Sequence, residues 1–93
     1  MKRTLVVRDE LRDLIRHLPP HLKKKIKQAL EEIVEDPLCG KPLREELLGL
    51  QSYQIGTVRI IYRAQESTLT LITIGPRKTV YQKAALELKN RHV

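Results

Sequence analysis

The sequence predicts an α+β domain: an N-terminal helical hairpin packed on a mostly antiparallel sheet of about four strands, with a short C-terminal helix. Three observations carry this. Apolar residues recur at helical spacing over residues 1–36, the pair Pro19-Pro20 divides that half, and β-branched residues with tyrosine take over from Ser52 to Ile74. A chain of 93 residues suffices for one core, so residues 1–93 read as a single domain.

Leu5-Val6-Val7 is a short run suited to an opening strand, and Asp9-Glu10 behind it suits a helix start. Leu11, Leu14, Ile15 and Leu18 then follow the i, i+3, i+4, i+7 pattern of one buried stripe. Proline breaks a helix interior but is tolerated in a first turn, so Pro19-Pro20 closes one helix and opens the next. The second helix carries Leu22, Ile26, Ala29, Leu30, Ile33 and Val34 inward and stops at Asp36-Pro37. Its first turns crowd Lys23, Lys24, Lys25 and Lys27, an order unfavourable to the helix dipole. Those lysines read either as a solvated polar face or as an auxiliary contact to RNA phosphate.

Residues 37–50 mix Pro and Gly with leucines and lack a clean period, which predicts a packed connection. Tyr53 to Ile55, Val58 to Ala64 and Thr68 to Ile74 read as three strands joined by tight hairpins at Gly56-Thr57 and Gln65-Glu66-Ser67. Thr79 is placed to cap a short helix running through Tyr81, Ala84, Ala85 and Leu88 to near Asn90.

Eighteen Lys and Arg against eleven Asp and Glu give a formal net charge of +7, which points to a polyanionic partner: RNA, DNA, an acidic protein or anionic membrane. Three tyrosines and no Phe or Trp leave the core to aliphatic side chains. No stretch approaches the roughly 18 apolar residues of a membrane span. The N-terminal apolar run stops at Arg8, short of a signal-peptide core, so cytoplasmic residence is expected. Neither a metal nor a cofactor is expected. Cys39 is a lone cysteine, and Pro19-Pro20 interrupts the helix on which the i, i+4 spacing of His17 and His21 would suit zinc. Phosphate-binding and dinucleotide loops are lacking too. His92 falls in a terminus where fraying is expected.

Strand parity yields the candidate site. In Val58-Arg59-Ile60-Ile61-Tyr62-Arg63, Val58, Ile60 and Tyr62 share one face and Arg59, Ile61 and Arg63 the other. If the helices cover the first face, Arg59 and Arg63 stand roughly 13 Å apart on an uncovered one. Gly75-Pro76-Arg77-Lys78 is a cationic turn at the end of the last strand, with Tyr81 four residues beyond Arg77. Guanidinium groups bind phosphate oxygens bidentately and stay charged at any working pH, so a phosphodiester fits this set. Tyr81 beside it would stack on a base or act as general base. Two plainer readings stand alongside: Tyr81 as a packing residue of the helix start, and Arg59 paired with Glu45 or Glu46.

The run Gly40-Lys41-Pro42-Leu43, Leu47 to Leu50, Ser52-Tyr53-Gln54-Ile55-Gly56, Val58-Arg59-Ile60-Ile61-Tyr62 and Gly75-Pro76-Arg77-Lys78 resembles the RelE/ParE toxin superfamily. Leu18-Pro19-Pro20, followed by a lysine-rich helix ending in Asp36-Pro37, resembles that family's helical hairpin. The resemblance covers nearly the whole chain. It implies, in its RelE branch, a type II toxin that acts as a ribosome-dependent mRNA endonuclease and is blocked by a cognate antitoxin. It also implies metal-free chemistry in which the ribose 2′-hydroxyl attacks the adjacent phosphate. Catalytic roles are implied for Arg59, Arg77 and Tyr81, and substrate contacts for Gln54, Arg63, Lys78 and Lys41. The second strand departs from the family pattern, with Gln54 and Gly56 where basic residues are common. Pro76 also departs, standing where many relatives are polar or basic. Two other functions share the resemblance: a ParE-like inhibitor of DNA gyrase and a catalytically weak binding module.

Overall fold

The computed structural model describes residues 3–91. Met1, Lys2, His92 and Val93 lie outside the described residues. The chain runs β1 (Thr4–Val6), α1 (Asp9–Arg16), α2 (Pro20–Glu35), β2 (Lys41–Pro42), β3 (Gln51–Ile55), β4 (Val58–Ala64), β5 (Thr68–Pro76) and α3 (Arg77–Arg91). The sheet order is β1-β5-β4-β3-β2, with β1 parallel to β5 and every other pair antiparallel. The α+β class and the helical hairpin are as expected. Among the described residues the sheet has five strands, because the connection of residues 37–50 contributes the two-residue β2 and two 3-10 turns, Pro37–Cys39 and Glu45–Leu47. No helix of the described residues is long and apolar enough to cross a membrane.

The two prolines act as their chemistry dictates. α1 ends at Arg16, and Pro20 is the first residue of α2, where its missing N–H would have had no helical partner. Past Glu35, the Asp36 carboxylate accepts the Leu38 amide at 3.2 Å and opens the first 3-10 turn. The β3–β4 hairpin turns on Gly56-Thr57 with Gly56 at φ +56°, a conformation that favours glycine.

Two layers of side chains hold the sheet. On one face Leu11 of α1 and Ile26, Ala29 and Ile33 of α2 pack against Ile60, Tyr62, Leu69, Leu71 and Ile74. This is the face the helices were expected to cover. The opposite face is not uncovered, a correction to the parity reading: Val80 and Ala84 of α3 pack there on Leu50, Ile61 and Ile72. α3 is also not the short helix expected from Thr79 but begins at Arg77, directly after β5. The helix can start so early because Gly75-Pro76 pairs as strand up to its first residue.

A β-bulge makes the second layer possible. Ile61 registers with Thr73 but Tyr62 with Leu71, leaving Ile72 as an extra residue on β5. The bulge reverses the alternation, so Leu71 and Ile74 both reach the α1/α2 face while Ile72 turns toward α3. Arg8 secures the bulge: its guanidinium donates to the Ile72 carbonyl at 3.3 Å and pairs with Glu87 of α3 at 2.9 Å.

Tyr62 pins the loop after α2. Its ring is fully buried, and its hydroxyl accepts the Gly40 amide at 3.0 Å and donates to the Pro37 carbonyl at 2.7 Å, with Gln51 Oε1 at 2.9 Å. A Cβ on Gly40 would collide with that oxygen, so glycine is required for the close approach. Burial, followed by the neighbouring Cys39, pushes the phenol up to about 12. Tyr53 is raised to about 12 as well, first because its hydroxyl donates to the Glu32 carboxylate, which holds the proton in place.

Candidate functional site

The sheet registers Gln54, Arg59 and Gly75 in one cross-strand row, on the face that α3 only partly covers. Directly paired residues have Cα atoms about 4.5–5.5 Å apart, so Arg59 sits between a neutral amide and a residue with no side chain. Pro76 follows Gly75, and Arg77 then opens α3. The chain thus brings Arg77 and Lys78, both exposed, to the end of the sheet where Arg59 stands. Tyr81 lies one helical turn beyond Arg77 on the same side of α3.

Arg59 is half-buried, yet its guanidinium is not sealed from solvent and has no ion pair or hydrogen bond among the described residues. The alternative pairing with Glu45 or Glu46 is not made. Arg77 and Lys78 are equally unpaired there, and the first turn of α3 holds no acidic residue. Two cations at the positive end of a helix dipole lower helix stability by a few tenths of a kcal/mol each, so helix formation does not explain their position.

Tyr81 combines the two readings given for it. Its ring packs against the cluster of Leu50, Ile61, Ile72, Val80 and Ala84, while its hydroxyl bonds to no described residue and is not sealed from water. The aromatic body is therefore anchored and its polar tip left free.

The substrate-contact candidates divide. Lys78 is beside Arg77. Gln54 is in the row with Arg59, but its amide turns back to donate to the Gly56 carbonyl at 3.0 Å, bracing the hairpin turn. Arg63 registers with Thr70, four residues along β4 from Arg59, at the opposite end of the strand. The structure does not bring it to Arg59. Lys41, exposed on β2 at the sheet edge, registers with Ser52, two rows removed. The lysines of α2 belong to the other layer: Lys23 and Lys27 line an open groove with Leu5, Ile15, Leu30 and Val34. That groove contains none of the candidate catalytic residues.

One cation escaped the sequence reading. Lys83 of α3 places Nζ 3.6 Å from where a Cβ on Gly75 would be, and so stands over the row that holds Arg59. Only its i+3 spacing from the inward-facing Val80 could have signalled it. Among the described residues no three His, Cys, Asp or Glu side chains cluster so as to hold a metal ion.

The family model described as ParE toxin of type II toxin-antitoxin system, parDE, matches residues 2–81. No curated protein sequence matches the chain. Among solved structures, the toxin-antitoxin complex RelBE2 from Mycobacterium tuberculosis has a chain similar at 30% identity, covering 83% of this chain and 100% of that one, with a TM-score of 0.71. A mutant of the E. coli toxin RelE in the free state aligns over 100% of both chains at 17% identity and a TM-score of 0.77. A RelB-RelE antitoxin-toxin complex from Methanococcus jannaschii aligns over 83% of this chain and 95% of that one, at 18% identity and a TM-score of 0.61.

Proposed function

The chain belongs to the ParE toxin family of type II toxin-antitoxin systems, within the RelE/ParE superfamily, and from that premise we propose that it is a ribosome-dependent mRNA endonuclease. The observation that carries the reading is the gathering of Arg59 and Arg77 at the end of the sheet where β5 passes into α3. Both are without a carboxylate partner among the described residues, and the free hydroxyl of Tyr81 lies one turn away.

In the proposed reaction the ribose 2′-oxygen attacks the adjacent phosphorus as Tyr81, in its phenolate form, takes its proton. The bond to the 5′-oxygen breaks and that oxygen takes a proton from water, leaving a cyclic phosphate and a free 5′-hydroxyl. Arg77 is assigned to the scissile phosphate and the leaving oxygen, and Arg59 to the equatorial charge. Preorganised cations supply a few kcal/mol each where charge develops, so two arginines held by a strand and a helix start are suited to the task. The site acts in the cytoplasm on message held by the ribosome. A cognate antitoxin, acidic and partly disordered, blocks it by neutralising the basic face and pairing with exposed sheet edges.

A second reading, inhibition of DNA gyrase, is favoured by the ParE-type family match and by neutral Gln54 and Gly56 on β3. Primer extension on a translated message in a cell-free system separates the two. New cleavage ends that disappear with Arg77→Ala and diminish with Tyr81→Phe support the nuclease. Intact transcripts together with blocked supercoiling by added gyrase would replace it with the inhibitor.

A further inference from the structure

We propose that Lys83 is a phosphate-binding residue of the same site, supplying from α3 the positive charge that β3 does not place beside Arg59. The assignment rests on the nuclease reading for its substrate, but its geometry is independent of it. Gly75 registers with Arg59, and a methyl group built on Gly75 would meet Lys83 Nζ at 3.6 Å and Val80 Cβ at 3.8 Å, both ordinary contact distances. Gly75 does not lie in the left-handed region, so its backbone does not demand glycine. What glycine leaves instead is a strand position without a side chain, over which the Lys83 ammonium lies and opposite which Arg59 is registered on β4.

Nothing among the described residues neutralises that ammonium. Glu87, at i+4 on α3, is the carboxylate best spaced to do so, but it is held by Arg8 at 2.9 Å. On the sheet side the neighbour of Arg59 is neutral Gln54, whose amide is engaged with Gly56. Gly56 itself is fixed by the positive φ of the hairpin turn, where a lysine would be strained. The cation that completes the clamp therefore comes from the helix. A cation on α3 over Gly75 and a cation registered opposite it on β4, neither with a counter-ion among the described residues, are both free to take a phosphodiester oxygen.

The test is fluorescence anisotropy of the full chain with a single-stranded oligoribonucleotide carrying 2′-deoxy positions, which binds without being cut, across a series of KCl concentrations. Lys83→Met is expected to weaken binding and to reduce the slope of log affinity against log salt by about 0.7, one phosphate contact on a single strand. Lys83→Arg is expected to keep the slope. Adding Gln54→Lys to Lys83→Met is expected to restore it from the other side of Arg59. Lys83 is exposed, so its thermal midpoint should not move, and a purely structural role would leave the slope unaltered.

An unchanged slope in Lys83→Met, or no salt-dependent binding by the wild-type chain, overturns the assignment whether or not message is cut. A lost slope together with a wild-type chain that leaves translated message intact supports Lys83 as a phosphate contact and defeats the nuclease reading alone.

Discussion

The two faces of the sheet differ in kind. The face under α1 and α2 is a closed aliphatic layer, with Ile26, Ile33, Ile60, Leu69 and Leu71 fully buried around Tyr62. The face under α3 is closed only in its middle, by Val80 and Ala84 on Ile61 and Ile72, and its margins carry Arg59, Gln54 and the edge residue Lys41. Even within its covered part, Ser52 Oγ is buried without a hydrogen-bond partner among the described residues. The lesson is a division of labour: one face supplies cooperative stability, and the other gives up some burial so that charge can be held at the surface. An unpaired guanidinium set among the residues of the first face would cost far more than it does at the rim of the second.

Adjacent isoleucines on β4 test that division most severely. Ile60 and Ile61 are both fully buried but face opposite layers. Ile60→Ala is expected to lower unfolding free energy by about 2–5 kcal/mol in urea melts. Ile61→Ala should fall at the bottom of that range and should accelerate amide exchange in α3 before the rest of the chain. Equal losses with uniform exchange would make α3 an integral part of the one core and remove the contrast.

Gly40→Ala attacks the first layer from its rim. The added methyl cannot coexist with the Tyr62 hydroxyl, and a cost of about 1–3 kcal/mol is expected in the same melts. Tyr62→Phe in combination should recover part of that loss, since it removes the oxygen that the methyl meets.

Alkali probes the same contact. An unfolded phenol loses its proton near pH 10, whereas Tyr62 and Tyr53 in the fold hold theirs to about 12. Unfolding therefore releases protons between those values, so stability is fully present below pH 10 and declines as pH rises to 12. The buried Tyr62 contributes about 2 kcal/mol of that decline, and Tyr62→Phe should flatten it.

The smallest effect is expected at Arg8. Arg8→Ala removes the contact to the Ile72 carbonyl and frees Glu87, lowering global stability by about 1 kcal/mol while loosening α3 measurably in hydrogen exchange. It also releases Glu87 to neutralise Lys83, so a reduced salt dependence of RNA binding should accompany the looser helix.

The first face was legible in the sequence because its signals are periodic. The Leu11 stripe, the proline pair and the alternation of Val58, Ile60 and Tyr62 each name an inward direction without knowledge of the partner. The second face was hidden by one inserted residue. With Ile72 as the bulge, strict alternation along β5 misassigns everything on one side of it, and the burial of Leu71, Ile72 and Ile74 reads as a continuous apolar run. α3 was found but begun two residues late, because Arg77-Lys78 gives no capping signal and Pro76 reads as a turn. Arg59 and Arg77 were accessible through parity and the turn. Lys83 was not, since its place depends on how α3 lies across Gly75, which no local pattern encodes.

The most direct test of the central claim, that nucleic acid lies against the α3 side at the Gly75 end of the sheet, is amide chemical-shift mapping of the ¹⁵N-labelled chain. The probe is the 2′-deoxy-substituted oligoribonucleotide. The expected result is perturbation of Gln54, Arg59, Gly75, Arg77, Lys78 and Lys83 with little change along α2. Perturbation centred on Lys23 to Val34, with the Arg59 row silent, would contradict it.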